Sequence, residues 1–253
     1  LSSTQRSWLN QHPNVYSAIN IYIDAAQLSF QDGADYVNFS VAYLIAHPFM
    51  QLATFENEFM TVPEGMDGPD NFDQSFWDDP NLVFQTQSLP SFQDFSAAYP
   101  NVAAEDVYNL IGGEILANHI ADHDNYKNAC ALRVSRALNY SGVTIPSYTN
   151  PVTGKHVTQT GNDGKNYFLS AKELNAWMKK TFGAPTYHFT KAQGGPNGTN
   201  FPGLLANIKG IYSMISSSAH WGSGHADLIN NADCDIGCHF DAPVSYIDVW
   251  VLQ

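Results

Sequence analysis

Tyr126-Lys127-Asn128-Ala129-Cys130-Ala131-Leu132-Arg133-Val134-Ser135-Arg136-Ala137-Leu138-Asn139 is the stretch from which the fold of this chain is read. Val134, Ala137 and Leu138 share a face with Cys130 at the spacings of a 3.6-residue period, which predicts a helix beginning at the cysteine. Asn128, just upstream, is a short polar side chain of the kind that caps the first free amides. Tyr140-Ser141-Gly142 closes the helix, with Gly142 as a left-handed cap. A thiol in a first turn sits at the positive end of the helix dipole, which favours the thiolate. Cys130 is therefore a candidate nucleophile. A buried, inert helix cysteine is the competing reading of a single free thiol.

Outward from this helix, the chain reads as helices first and sheet last. Residues 1 to about 62 carry helical signals. Asn14 is placed to cap a helix striped with Tyr16, Ile19, Ile23 and Ala26 that ends near Gln31-Asp32-Gly33. Val37, Val41, Leu44 and Ile45 mark a second helix, stopped before Pro48, and 49–60 a third. Residues 63 to 90 are punctuated by Pro63, Gly65, Gly68, Pro69, Pro80 and Pro90 and read as a connector packed through Phe72, Phe76 and Trp77. Its acidic cluster (Asp67, Asp70, Asp73, Asp78, Asp79) lacks the tight ligand pattern of a calcium loop and reads as solvated surface. Phe92, Phe95 and Tyr99 line a short helix, and 107–117 another, interrupted by Gly112-Gly113. Two such glycines cost about 1 kcal/mol each relative to alanine, which implies close approach to the cysteine helix or a ligand. A loop runs on to Gly164. Ser170-Ala171-Lys172-Glu173 is a capping box for a helix with Leu174, Trp177 and Met178 on its apolar face. Residues 208–215, 224–229 and 246–252 read as short strands of an antiparallel sheet. The fold class is α+β, with residues 1–88 a helical extension and connector and 89–253 the main domain.

The chain has 253 residues, 44% of them hydrophobic, enough for a substantial core. No run reaches the eighteen apolar residues of a membrane span. Eleven Lys and Arg against 24 Asp and Glu give a formal charge of −13, a surface that repels phosphate backbones, so nucleic acid is not an expected partner. The sequence opens at Leu1, and sequons occur at Asn38, Asn139 and Asn197. With the composition, these favour a secreted, extracellular protein.

A cysteine nucleophile needs a base and a group that orients the base. Among nine histidines, His225 opens the strand Ala226-Asp227-Leu228-Ile229 behind the small-residue turn Trp221-Gly222-Ser223-Gly224, where Gly224 leaves room for substrate. His220, His239, His188, His123 and His119 are its rivals. Cys234 and Cys238 lie at a spacing that closes a small disulfide in an oxidising compartment. The competing zinc site of His225, Cys234, Cys238 and His239 has adjacent ligands that seldom fit one tetrahedron. No metal and no cofactor are assigned.

Ile111-Gly112-Gly113-Glu114-Ile115, the stretch from Lys127 to Gly142, Gly224-His225-Ala226-Asp227-Leu228 and the Cys234–Cys238 segment together resemble the type VI secretion amidase effectors, family four. The resemblance covers roughly Leu89 to Gln253. It implies a papain-like fold related to NlpC-type wall peptidases, with the cysteine heading the central helix and the histidine on the following sheet. It further implies a cysteine amidase cleaving the peptide stem of bacterial peptidoglycan between γ-D-glutamate and the third-position diamino acid, usually meso-diaminopimelate. Cys130 maps to the nucleophile, His225 to the base and Asp235 to the third residue, with Asp233 and Asp227 as alternatives for that role. The Cys130 amide would hold the oxyanion, with Asn128 as a possible second donor and Gly113 and Asp227 on the substrate side. The extension 1–88 departs from the family pattern, and whether an immunity partner exists is not legible. Acyl transfer through the same thioester and a non-catalytic wall-binding module are the rival functions.

Overall fold

A computed structural model describes residues 1–60, 72–218 and 221–253. Four helices come first: α1 (Ser3–Gln11), α2 (Pro13–Ala25), α3 (Phe30–Ala46) and α4 (Leu52–Phe59). After them come α5 (Gln74–Trp77), α6 (Phe92–Ala98), α7 (Ala104–Ile111), α8 (Gly113–Ala121) and the cysteine helix α9 (Cys130–Tyr140). A hairpin of β1 (Thr158–Thr160) and β2 (Asn166–Phe168) leads to α10 (Ala171–Phe182). It is followed by β3 (Tyr187–Thr190), α11 (Lys191–Gly194), α12 (Phe201–Leu205), β4 (Lys209–Ser216), β5 (Gly224–Asn230), β6 (Asp233–Cys234) and β7 (Val244–Val251). The last five strands form one antiparallel sheet in the order β3-β7-β4-β5-β6.

Period-two alternation gives this sheet two apolar faces. Ile211, Ala226, Leu228 and Trp250 pack with Cys130, Val134 and Leu138 of α9 and Leu174, Trp177 and Met178 of α10. Tyr212, Met214, Ile229, Ile247 and Val249 pack on the other side with Leu9, Val15, Ile19, Val41, Phe55 and Phe59. The N-terminal helices thus share a core with the sheet. The bond network agrees: Cys238 N–H donates to Asn57 O (3.2 Å) and Phe240 N–H to Glu58 O (3.1 Å), as α4 lies against the β6–β7 connection.

Local chemistry explains where several elements begin and end. Pro13 occupies the first position of α2, and His12 rather than Asn14 is the capping residue. The stripe of α2 is Val15 and Ile19, with Tyr16 exposed, and the helix stops at Ala25 because Gln27 turns left-handed (φ 51°). Gly33, expected beyond a helix end, instead lies inside α3, where a Cβ would press to 3.3 Å from Ile23 Cγ2. Ser29, Ser91 and Ser170 cap α3, α6 and α10 through their hydroxyls. Phe72, Phe76 and Trp77 pack into the α9 core as the connector reading requires, and Asp73 caps α5. Asp67 and Asp70 lie outside the described residues.

Gly112 (φ 66°) separates α7 from α8, as the paired glycines predict. The partner of the close approach differs from the expectation. A Cβ on Gly113 (φ 64°) would lie 2.6 Å from Asn162 N and Gly161 C, so the glycine admits the β1–β2 turn rather than α9 or a ligand.

Candidate active site

Cys130 is the first residue of α9 and the one cysteine outside the disulfide, buried at 2% exposure. Nine of the helix's eleven residues are buried, Arg133, Ser135 and Asn139 included, so it runs through the middle of the domain rather than over its surface. Its N-terminal approach is tied by three hydrogen bonds. Tyr108 Oη donates to Asn128 O (3.0 Å), His119 Nδ1 meets Tyr126 O, and Cys130 N–H donates to Asn128 Oδ1 (3.0 Å). Asn128 therefore caps the amide of Cys130, as the sequence suggests, but as an acceptor. In this arrangement its oxygen holds the N–H that the sequence reading reserves for an oxyanion. Asn139, a sequon residue, faces inward and donates to Asn166 O (2.8 Å).

α9 packs against β5 and against α6. Arg136 donates to Ala98 O (2.6 Å), and the buried Arg133 to Pro100 O (2.8 Å), which fixes the end of α6. Tyr99, there, reaches β5 and donates its hydroxyl to Asp227 Oδ1 at 2.5 Å. Asp227 is fully buried and accepts on both oxygens. Oδ1 also takes Leu228 N–H (2.7 Å), and Oδ2 takes Ile236 N–H (3.0 Å) and Gly237 N–H (3.2 Å). These donors replace the hydration that burial removes from a carboxylate. Burial, reinforced by Asp227, pushes the Tyr99 phenol well above its ordinary range, so it remains a donor.

His225 Nε2 lies 3.3 Å from Asp227 Oδ2. His225 alternates with Ala226 along β5, is 5% exposed, and has Tyr212 (ring centroids 6.3 Å) and the edge of His239 (4.5 Å) as ring neighbours. Gly224 does not open space for substrate: a Cβ there would collide with Met214 O of the adjacent strand, so its lack of a side chain serves strand pairing. Asp235, the first choice for the third residue, bonds instead to Asn101 with Arg133 nearby, and its N–H donates to Leu228 O (3.1 Å). Burial followed by the charge of Asp227 raises the carboxyls of both Asp233 and Asp235. The carboxylate against His225 is Asp227.

The rival histidines are placed elsewhere. His188 Nδ1 sits on Asp248 (2.6 Å), while His119 and His123 share Glu105. His220 lies outside the described residues. Cys234 and Cys238 are joined by a disulfide, which removes both sulfurs from the zinc set of His225, Cys234, Cys238 and His239. Sequence reasoning missed Tyr99, for which no linear signal exists across 128 residues. It also missed Asn57, whose side chain donates to Cys234 O (2.7 Å) and braces the disulfide turn.

A cysteine-headed helix buried between short helices and an antiparallel sheet, with a histidine–aspartate pair on the strand it packs against, defines the class of this α+β chain. The family described as "Type VI secretion system (T6SS), amidase effector protein 4" (Tae4) matches residues 126–250 of the chain. Among solved structures, the type VI effector Tae4 from Enterobacter cloacae is 28% identical, with a TM-score of 0.55, covering 67% of this chain and 100% of that one. The Tae4–Tai4 effector–immunity complex from the same organism gives 27% identity, a TM-score of 0.54 and coverage of 65% and 99%. The Tae4–Tai4 complex from Salmonella Typhimurium, at 24% identity and a TM-score of 0.53, shares the fold. No curated protein matches the chain. Among the described residues no helix is long and apolar enough to cross a membrane.

Proposed function

We propose that this chain is a papain-like cysteine amidase of the bacterial cell wall, hydrolysing the γ-D-glutamyl to meso-diaminopimelate bond of the peptidoglycan stem. The observation that carries the reading is the placement of Cys130 at the head of α9, packed against the strand that bears His225 on Asp227. Asp227 engages Nε2 and so leaves Nδ1 as the nitrogen that takes the thiol proton. The thiolate adds to the stem carbonyl, and the oxyanion is met by the Cys130 amide once the Asn128 carboxamide swings aside. His225 returns its proton to the departing diaminopimelate amine. Water then hydrolyses the thioester, releasing a D-glutamate carboxylate and the free thiol. We assign the orienting role to Asp227 rather than to Asp235 or Asp233, because Asp227 is the carboxylate in contact with the imidazole.

The disulfide suits work outside the cytoplasm, where the wall lies. The relatives solved with Tai4 support an immunity-type protein as a partner for this chain as well. The N-terminal helices are proposed as a structural part of the enzyme, since their core is the sheet's second face.

The test is mass spectrometry of fragments released from diaminopimelate-type sacculi. Wild-type protein should create new D-glutamate carboxyl ends and new diaminopimelate amine ends, and Cys130→Ala none. Cleavage at another bond, or sacculus binding without new ends, would reject the assignment.

A further inference from the structure

A second cluster of ionisable side chains lies apart from His225. Glu105 is in the first turn of α7, His119 in the last turn of α8, and His123 follows two residues after that helix ends. His119 Nε2 is 2.8 Å from Glu105 Oε2, and His123 Nε2 is 2.8 Å from Glu105 Oε1. One atom from each residue falls within 4.8 Å of the other two.

We propose that Glu105, His119 and His123 form a binding site for a divalent transition-metal cation of the zinc class, independent of the chemistry assigned to Cys130. His119 carries the argument. Its Nδ1 meets Tyr126 O, and a carbonyl only accepts, so the hydrogen is on Nδ1. The Nε2 of the neutral ring then presents a lone pair. Opposite it, 2.8 Å away, is an oxygen of the Glu105 carboxylate, which also only accepts. Two facing acceptors require a cation between them, either a second proton on the imidazole or a metal. A metal satisfies both histidines and the carboxylate at once. A backbone carbonyl behind the ligating imidazole is the usual outer support of such a site.

The rigidity is suitably divided. His119 is 4% exposed and stacked on Tyr108 (ring centroids 4.0 Å, 15° between planes), so one ligand is preset. Glu105 and His123 have side chains 60% and 59% exposed and are free to adjust. A tetrahedral zinc with bonds of ~2.0–2.1 Å separates its ligand atoms by roughly 3.3 Å, so the carboxylate need withdraw only about 0.5 Å. Two nitrogens and one oxygen leave a fourth position for water. The bound ion would fasten α7 and α8 to the Tyr126 turn, and through Tyr108 and Asn128 to the capped amide of Cys130.

The test uses the full chain titrated with Zn2+ by calorimetry and with Co2+ by visible absorption, against Glu105→Gln/His123→Ala, two exposed positions that leave the fold intact. Wild type should bind one equivalent, show d–d bands of a four- or five-coordinate nitrogen–oxygen site, and melt at higher temperature with Zn2+. The variant should bind on the order of a hundredfold or more weaker and lose the thermal shift. No stoichiometric binding, binding unchanged in the variant, or a sulfur charge-transfer band placing the ion on Cys130 would each overturn the site.

Discussion

Replacing Asp227 with asparagine removes one charge and one acceptor at a position where every hydrogen bond is known. The carboxylate accepts from Tyr99 Oη and Leu228 N–H on Oδ1, and from Ile236 N–H, Gly237 N–H and His225 Nε2 on Oδ2. An asparagine amide placed at the Oδ2 position would face two backbone donors and the imidazole. Placed at Oδ1 it faces one backbone donor and a phenol that is able to rotate and accept. The second orientation is cheaper: it orphans Leu228 N–H alone, at about 1–3 kcal/mol. It also keeps an oxygen on His225, so the imidazole retains its tautomer while losing a negative neighbour. Urea unfolding at neutral pH should therefore show a loss of about 1–3 kcal/mol with an unchanged m-value. Release of peptide from sacculi should fall roughly ten- to hundredfold, well short of the ~10⁴ loss of a wrong tautomer. Asp227→Ala, which removes both oxygens, should be worse on both measures. Full stability together with full activity in Asp227→Asn would refute the assigned role of this carboxylate.

Stability should depend on pH through two carboxyls of the N-terminal half and its contacts. Burial pushes Glu58 up to about 7 and Asp241, which accepts from Tyr22 Oη (3.0 Å), up to about 7. A raised carboxyl binds its proton more tightly in the folded state, so stability falls as pH rises from about 4 to about 7 and is then level, on the order of 3 kcal/mol for each group. Glu58→Gln and Asp241→Asn should flatten a denaturation series across that window. An unchanged slope would remove these groups as its cause. Gly113→Ala forces a side chain at φ 64° against Asn162 N and should lower the melting temperature clearly, with an unaltered melt counting against the close approach. Cys234→Ser/Cys238→Ser opens a loop of sequence separation 4 and should cost about 2 kcal/mol by chain entropy. A denaturant midpoint equal to wild type would show that the Asn57 bonds alone hold this turn. Deleting residues 1–60 should leave Phe240, Tyr212 and Ile247 uncovered and give insoluble protein, and a soluble, active fragment would show the extension to be dispensable.

The parts of the fold legible in the sequence are those with strong local periodicity or an unambiguous cap. The helix predicted to begin at Cys130 begins there, and the Ser170 cap and the Leu174, Trp177 and Met178 face are found on α10. Three strands were readable because β4, β5 and β7 are seven or eight residues long and apolar. β1, β2 and β3 are only three or four residues long, too short for an alternation to stand out. At the site, the strand that carries His225 is legible from its apolar run and the disulfide from its spacing. Which carboxylate touches the imidazole is not legible, because the Asp227–His225 contact, the Tyr99 bond to Asp227 and the Asn101 bond of Asp235 are tertiary facts. Gly224 misled for a related reason. A glycine before a histidine carries the same letters whether it faces substrate or the carbonyl of a neighbouring strand.

The pairing of Cys130 with His225 is tested most directly by the pH dependence of alkylation of Cys130, the one cysteine outside the disulfide, followed by intact-protein mass. A thiolate stabilised by imidazolium and helix dipole should be modified at rates that persist well below the ordinary thiol range of about 8.5, and His225→Ala should return the profile towards that range. A profile that is slow, rises only at alkaline pH and is identical in the two proteins would contradict the pairing.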